Sequence, residues 1–431
     1  WYDVIGMTVR GTSGGVQIGT NDNLCTNINV IGCSFLNQWF MGVQTRHGHN
    51  IVIKNNFFDN IRTRHTGNDA FGVYLTANTG NSNKDVLIES NRFRDIGGNG
   101  VQALDSNGEH INVTVRNNLH EISRPYIYRD YFGNEMYPPP EYKIVSAATD
   151  IVFDGANAIT SDGAATGTDL SQFVVGDTLQ ISGTTSNNTN YGYNVTAVVS
   201  DSELTVYETT VSESPASCTI ETFNGSHCGE VFIAIKRGPG PFLLEGNTIR
   251  NIRNTGANAD ATGANGAAMT CLLDAENVTF RNNRIINCNQ GITSGNWNTN
   301  GLERNLVYEG NLILPGKGVD FPAAPIQKGI EVTQVVSARF ENNTIIGEES
   351  GDRQLFRVAQ MSHAIVRNNV MVSGTVIDLA TQTYQSANVF NDVASVPASL
   401  VDAASLEDVE LKLDESYAPL PGSPCLTGGV N

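Results

Sequence analysis

Positive charge is scarce in this chain. Its 431 residues hold 26 Lys+Arg against 44 Asp+Glu, a net charge of −18. Phosphate binding needs clustered cations, so no nucleic-acid partner is expected. Between 144 and 222 there is no Lys or Arg at all, only acids. Cysteine is sparse too. The seven, at 25, 33, 218, 228, 271, 288 and 425, are too few for a disulfide scaffold and lack CxxC metal spacing. Cys218 and Cys228 can close a loop at the edge of the acidic segment, as in exported proteins; the others read as small core residues. Apolar runs are short, and none nears the roughly 20 residues of a membrane helix, so no membrane partner is expected. Charged residues make up only 16% while hydrophobic ones reach 40%, which excludes a disordered chain.

Asparagine and glycine are abundant instead, 48 and 43 of them, beside only 14 Pro. Both residues serve turns and left-handed backbone, so long helices are not expected. The asparagines recur within one eight-residue phrase. Copies are Ile51-Val-Ile-Lys-Asn-Asn-Phe-Phe58, Val86–Phe93, Val113–His120, Phe242–Ile249, Val278–Ile285, Leu306–Ile313, Ala338–Ile345 and Ala364–Met371, with a ninth at Ile28–Phe35. Apart from a break between 120 and 242, one copy follows another every 23 to 36 residues. Such a period means one coil of a solenoid per copy. Alternating apolar residues, then a polar pair, then a return to apolar residues, spell strand, bend, strand. The sixth position is Asn56, Asn91, Asn118, Asn247, Asn283, Asn311, Asn343 and Asn369, with Cys33 in the ninth copy. These asparagines are expected to adopt left-handed geometry in the bend and to hydrogen-bond from coil to coil as a ladder.

A further strand precedes most copies: Gly42–Arg46, Gly72–Thr76, Gly100–Leu104, Phe232–Lys236, Gly291–Ser294 and Gly329–Thr333. The expected fold is therefore all-β, a right-handed parallel β-helix over 1–142 and 223–431. Residues 143–222 break the period with turn-rich strands, and read as an inserted small β-domain entered through Pro138-Pro-Pro140. Trp1 opens directly into coil-like sequence, with neither an amphipathic cap nor a basic leader, so an N-terminal cap is expected ahead of it and any signal peptide has been removed. The phrase, the coil length and the tail Leu420-Pro-Gly-Ser-Pro-Cys-Leu-Thr-Gly-Gly429 resemble the pectate-lyase-like β-helix superfamily, an architecture that hosts lyases, hydrolases, epimerases and phage tailspikes.

In such a solenoid, outward residues of stacked strands line up along one face. With Val43, Val73, Val101 and Ile233 inward, the outward set is Gln44, Arg46, Tyr74, Thr76, Gln102, Ala234, Lys236, Glu331 and Thr333. Lys236 ends a strand beside Arg237-Gly-Pro-Gly240, where sites concentrate. The stretch Gly229-Glu-Val-Phe-Ile-Ala-Ile-Lys-Arg237 resembles the base-carrying segment of alginate and chondroitin-B lyases. That resemblance implies Lys236 as Brønsted base and Glu230 as a calcium ligand. The family's acidic Arg has no counterpart in the next coil, Ala267–Leu272.

Elimination at a uronate needs a cation for the carboxylate, a base for the C5 proton and an acid for the leaving oxygen. Lys236 is the expected base, Arg237 or calcium at Glu230 the neutralising charge, and His65 or Tyr128 the acid. Arg46, His47, His49, Lys54, Arg62, Arg64 and His65 form the most cationic stretch, an expected subsite for acidic sugar. Tyr74 and Gln102 belong to the column. Tyr128, Arg129 and Tyr131, in the aromatic lead-in to the insert, are expected to stack on sugar rings. The sequence thus points to an exported, monomeric polysaccharide lyase without an organic cofactor. Two alternatives stand beside it: a glycoside hydrolase drawing on Asp69, Asp105, Asp130 or Glu230, and a non-catalytic, trimeric, tailspike-like glycan binder.

Overall fold

The computed structural model describes residues 2–38, 40–61, 70–105, 108–123, 128–129, 135–136, 143–175, 177–187, 193–207, 209–215, 217–222, 231–252, 267–288, 290–295, 303–315, 328–347, 354–380, 382–386, 388–393, 397–400 and 405–407. The solenoid is a right-handed parallel β-helix whose coils contribute strands to three sheets. The first sheet runs from Tyr2–Ile5 to Gln382–Ser386, each strand pairing in parallel with its copy one coil on. The second starts at Thr8–Arg10 and consists mostly of three-residue strands. The third includes Met41–Thr45, Phe71–Ala77, Asn99–Asp105, Val231–Ile235, Ala267–Cys271, Gln290–Gly295, Lys328–Thr333 and Gln354–Ala359. No helix among the described residues is long and apolar enough to cross a membrane.

The repeated phrase divides its labour between two neighbouring positions. Its fifth residue, not its sixth, takes the left-handed conformation: Asn55, Ser90, Asn117, Asn282, Asn342 and Asn368 lie at φ of 54 to 58°. Gly32, Gly246 and Gly310 fill the same position in other copies. Left-handed backbone suits Asn and Gly, and this turn frees the sixth residue to point inward. The sixth-position asparagines do form the expected ladder. Asn283 Oδ1 accepts from the backbone N–H and the Nδ2 of Asn247, both at 3.0 Å. Its own Nδ2 donates to Leu244 O at 2.8 Å and to Asn311 Oδ1 at 3.0 Å. Every polar atom of the buried amide is satisfied, a precondition for placing it in a core. The ladder begins where Cys33 N–H donates to Asn56 Oδ1 and continues past Asn369 to Asn388, in a shorter coil that the phrase search missed.

Two internal aromatic stacks run alongside. Phe35, Phe58 and Phe93 stack at 4.9 and 4.7 Å, and Phe280, Tyr308 and Phe340 at 5.0 and 4.8 Å. These rings account for the glycines that open the third-sheet strands. A Cβ on Gly42 would sit 2.5 Å from the Phe58 ring and 2.7 Å from Gly72 O. Outside, Lys54, Glu89, Arg116, Glu245 and Arg281 share one register line of the first sheet with alternating sign. Lys54 and Arg116 each reach Glu89 at 2.8 Å. Glu89 is buried while its two partners reach into solvent, and solvent around the cations limits what such pairs contribute.

Residues 144–222 form a separate seven-stranded antiparallel sheet with its own core, including Phe153, Leu170, Phe173, Leu179, Leu204 and Ile220. Its ends meet, because Thr222 N–H donates to Lys143 O at 2.9 Å. The expected Cys218–Cys228 bridge is not formed. Cys218 is a free thiol packed into the insert's core, where burial and then Glu213 push its pKa up to about 12. Cys33, Cys271 and Cys288 are buried core residues, as expected.

Asn283→Ala leaves the N–H of Asn247 and the carbonyl of Leu244 without partners inside the core. Because each such loss costs about 1–3 kcal/mol, urea unfolding of this variant is expected to show a stability loss of about 3 kcal/mol, whereas Asn157→Ala, at an exposed bend of the insert, shows under about 1 kcal/mol.

Candidate functional site

Register, not nearness in sequence, assembles the outer face of the third sheet. One line along it is Gln44, Tyr74, Gln102, Ala234, Thr270, Thr293, Glu331 and Arg357. The adjacent line, Val43, Val73, Val101, Ile233, Met269, Ile292, Ile330 and Phe356, lies in the core. The expected column of Gln44, Tyr74, Gln102, Ala234 and Glu331 is thus a physical row. Coils repeat about every 4.8 Å, which puts Tyr74 about 10 Å and Arg357 about 19 Å from the level of Ala234.

Although outward in register, Gln44, Gln102, Thr270, Thr293 and Glu331 are buried. Desolvated polar groups line this face, a setting in which hydrogen bonds and charges act more strongly than in bulk water. At one end Tyr74 stacks on Phe71 at 4.3 Å, and Phe40 meets Phe71 edge-on at 5.8 Å. Next to them Asn99 Nδ2 donates to Gln102 Oε1. At the other end Glu331 is clasped by Lys328 Nζ at 2.5 Å and by Arg357 Nη1 at 2.7 Å. Among the described outward positions the cations are Arg46, Lys236, Lys328 and Arg357, and Glu331 is the one carboxylate.

Lys236 follows the strand Val231–Ile235, is half-buried, and its N–H donates to Ala103 O at 2.8 Å. Since Ala103, Ile235 and Cys271 are register partners, the next residues, Leu104, Lys236 and Leu272, stand side by side. Arg237 begins the following turn, also half-buried. Arg46 ends its strand at the same edge, its N–H donating to Ile18 O at 3.0 Å. Its Nε is buried without a hydrogen-bond partner among the described residues. His47 packs edge-on against His49 at 5.8 Å, and His49 faces Ser82 Oγ at 3.0 Å. Burial first, then Lys84 and His47, lower the pKa of His49, with Asp85 opposing, so this imidazole favours its neutral form.

Tyr128 and Arg129 pair with Met136 and Glu135 in a two-stranded antiparallel hairpin, described for its backbone alone. His65, Tyr131 and Glu230 lie outside the described residues, as do Asp69 and Asp130; Asp105 ends a third-sheet strand with its side chain outside the description. Among the described residues, no cluster of three His, Cys, Asp or Glu is placed to hold a metal ion. The sequence reading missed Lys328 and Arg357. Lys328 lies one residue before the glycine used to mark its strand, and in Arg357's strand Leu355 replaces that glycine, so only register finds it.

No protein-family model and no curated protein matches the chain. Among solved structures it aligns with the tailspike of E. coli bacteriophage HK620. For a double mutant the identity is 15% and the TM-score 0.39, over 94% of this chain and 53% of the tailspike. A mutant in complex with pentasaccharide gives 15% and 0.37 over the same shares. The tailspike of Pseudomonas phage phi297 aligns at 11% and 0.17, over 78% of this chain and 68% of that one. The chain spans about half the length of the HK620 tailspikes.

One further carboxyl is perturbed, but it belongs to the interior. Glu303 bridges to Val335, and Arg304 to Glu276, so Glu303 occupies a core position in line with Ala275 and Val335. It is fully buried, and neither carboxylate oxygen has a hydrogen-bond partner among the described residues. Burial, reinforced by Asp274, raises its pKa to about 7, while the backbone N–H groups of Glu303 and Leu273 act the other way. A raised carboxyl pKa means the folded protein holds the proton more tightly than the unfolded chain. The stability linked to Glu303 is therefore complete below about pH 4.5 and is lost as pH rises through about 7. Glu303→Gln, which keeps the shape and removes the titration, is expected to unfold at higher urea than the parent at pH 8, by on the order of 3 kcal/mol. At pH 5 most of that difference disappears.

Proposed function

We propose that this chain is a polysaccharide-active β-helix that binds an acidic glycan along the outer face of its third sheet and cleaves it by β-elimination at Lys236. The observation that supports this most directly is a reversal of charge. Among the described residues, a chain of net charge −18 sets four half-buried cations against one carboxylate on a single face. That arrangement attracts anions where the rest of the molecule repels them. Tyr74, half-buried and backed by the buried Phe71 ring, supplies a surface on which a sugar ring can stack.

In this reaction the amine of Lys236 takes the C5 proton of a uronate. The electron pair forms the C4–C5 double bond, the C4–O bond breaks, and the leaving oxygen takes a proton from His65 or Tyr128. Leu104 and Leu272 stand on either side of Lys236 in register, an apolar flank that suits a lysine acting as a base. Arg237, next in the chain, neutralises the substrate carboxylate as charge builds on it. Calcium enters the proposal only through Glu230. A polymeric substrate of this kind suits a protein outside the cell, acting as a monomer.

Incubation with uronate polysaccharides is expected to generate the ultraviolet absorbance of a conjugated, unsaturated product in step with new reducing ends. Lys236→Ala should bind the same polymers but turn them over about 100-fold to 10,000-fold more slowly, the usual worth of a positioned acid or base. Near-parental turnover in that variant removes Lys236 from the chemistry. Reducing ends without the absorbance point to hydrolysis, and binding with neither signal points to a glycan-binding solenoid. Dialysis against EDTA should lower turnover if Glu230 holds calcium, and unchanged turnover removes the metal.

A further inference from the structure

The geometry points to a second anion-binding subsite on the same face, three to four coils from Lys236, in which Lys328 and Arg357 receive a carboxylate of a distant sugar unit. This rests on the acidic-glycan reading above and deepens it. A substrate held there must carry acidic groups at more than one position along its length.

Glu331 is spent on positioning. Its two oxygens are divided, Oε2 to Lys328 and Oε1 to Arg357, which fixes two cations side by side on adjacent coils. Two positive charges and one negative leave the trio with a charge of +1. Lys328 and Glu331 are largely withdrawn from water, at 21% and 11% exposure, while Arg357 keeps 34% and stays within reach of a ligand. Excess charge held away from water calls for a counter-ion. Arg357 engages Glu331 through Nη1 alone. A guanidinium offers five N–H donors, so the remaining edge of its planar fork can take a carboxylate in the paired geometry a lysine cannot match. Gln354, the register partner of Lys328 on the coil of Arg357, has a buried Oε1 without a hydrogen-bond partner among the described residues. The trio lies about 14 to 19 Å along the stack from the level of Lys236, so ligand reaching both must be an oligosaccharide laid parallel to the solenoid axis.

The test compares binding of a defined acidic oligosaccharide, an oligogalacturonate or an oligoalginate, with that of its carboxyl-reduced counterpart, by titration calorimetry on the whole chain at two salt concentrations. The parent protein should prefer the acidic form by tenfold or more, and added salt should erode the preference. Arg357→Gln and Lys328→Gln should each lose most of it, and Arg357→Lys, which keeps the charge but not the fork, should retain part. Unchanged thermal unfolding of Arg357→Lys guards against loss of fold. A preference that survives both glutamine variants overturns the subsite. If Lys236→Ala alone abolishes it, the acidic-glycan reading stands and this subsite falls; if the parent shows no preference at all, both fall together.

Discussion

Coil-to-coil registration through buried asparagine amides is the constraint on which the rest of the molecule depends. A parallel strand alone tolerates a slip of two residues without changing which face its side chains occupy. The ladder removes that freedom, because each amide must meet the one above and the one below within hydrogen-bond distance, far from any water that could substitute. Once the asparagines are fixed, the aromatic stacks, the glycine contacts and the outward row of the third sheet follow from counting residues. Gln44, Tyr74, Gln102 and Glu331 come into line only because Asn56, Asn91, Asn118 and Asn343 do.

The solenoid was legible in the sequence because its signal is repeated. A pattern seen nine times survives variation in any one copy, and the inward or outward sense of the strand residues follows from alternation. What the sequence could not apportion was the left-handed turn, since Asn stands at both the fifth and the sixth positions and both uses are chemically open to it. Glycine at the fifth position in Gly246 and Gly310 was the available clue. The site was less legible for a different reason. Pairing between Glu331 and Arg357 spans 26 residues and is carried by the register of a strand whose marking glycine is absent. Cys218 misled because spacing alone said nothing of where its side chain points, and the insert's core claims it.

Electrostatically the molecule is sorted by surface. From Lys54 to Arg281 the first sheet alternates its charges along the stack, the insert carries almost pure negative charge, and the described third-sheet face sets Arg46, Lys236, Lys328 and Arg357 against Glu331. Alternation contributes little to stability but leaves no field to attract a ligand. An excess of one sign in a partly dehydrated setting does the opposite. Glu303 shows the remaining way a solenoid can house an acid, inside the core with its pKa raised to about 7.

The junction at the insert bears on how the chain assembles. Asn118 bonds to Asn247 across 129 residues, where its neighbours along the ladder are separated by 27 and 36. Closing the longer span from an open chain costs about 1.4 kcal/mol more than closing a 27-residue coil, since the penalty grows only with the logarithm of length. With Lys143 and Thr222 already joined, a folded insert behaves as a short tether, and most of that excess vanishes. An insert already folded would thus leave the two halves of its host a shorter span to close.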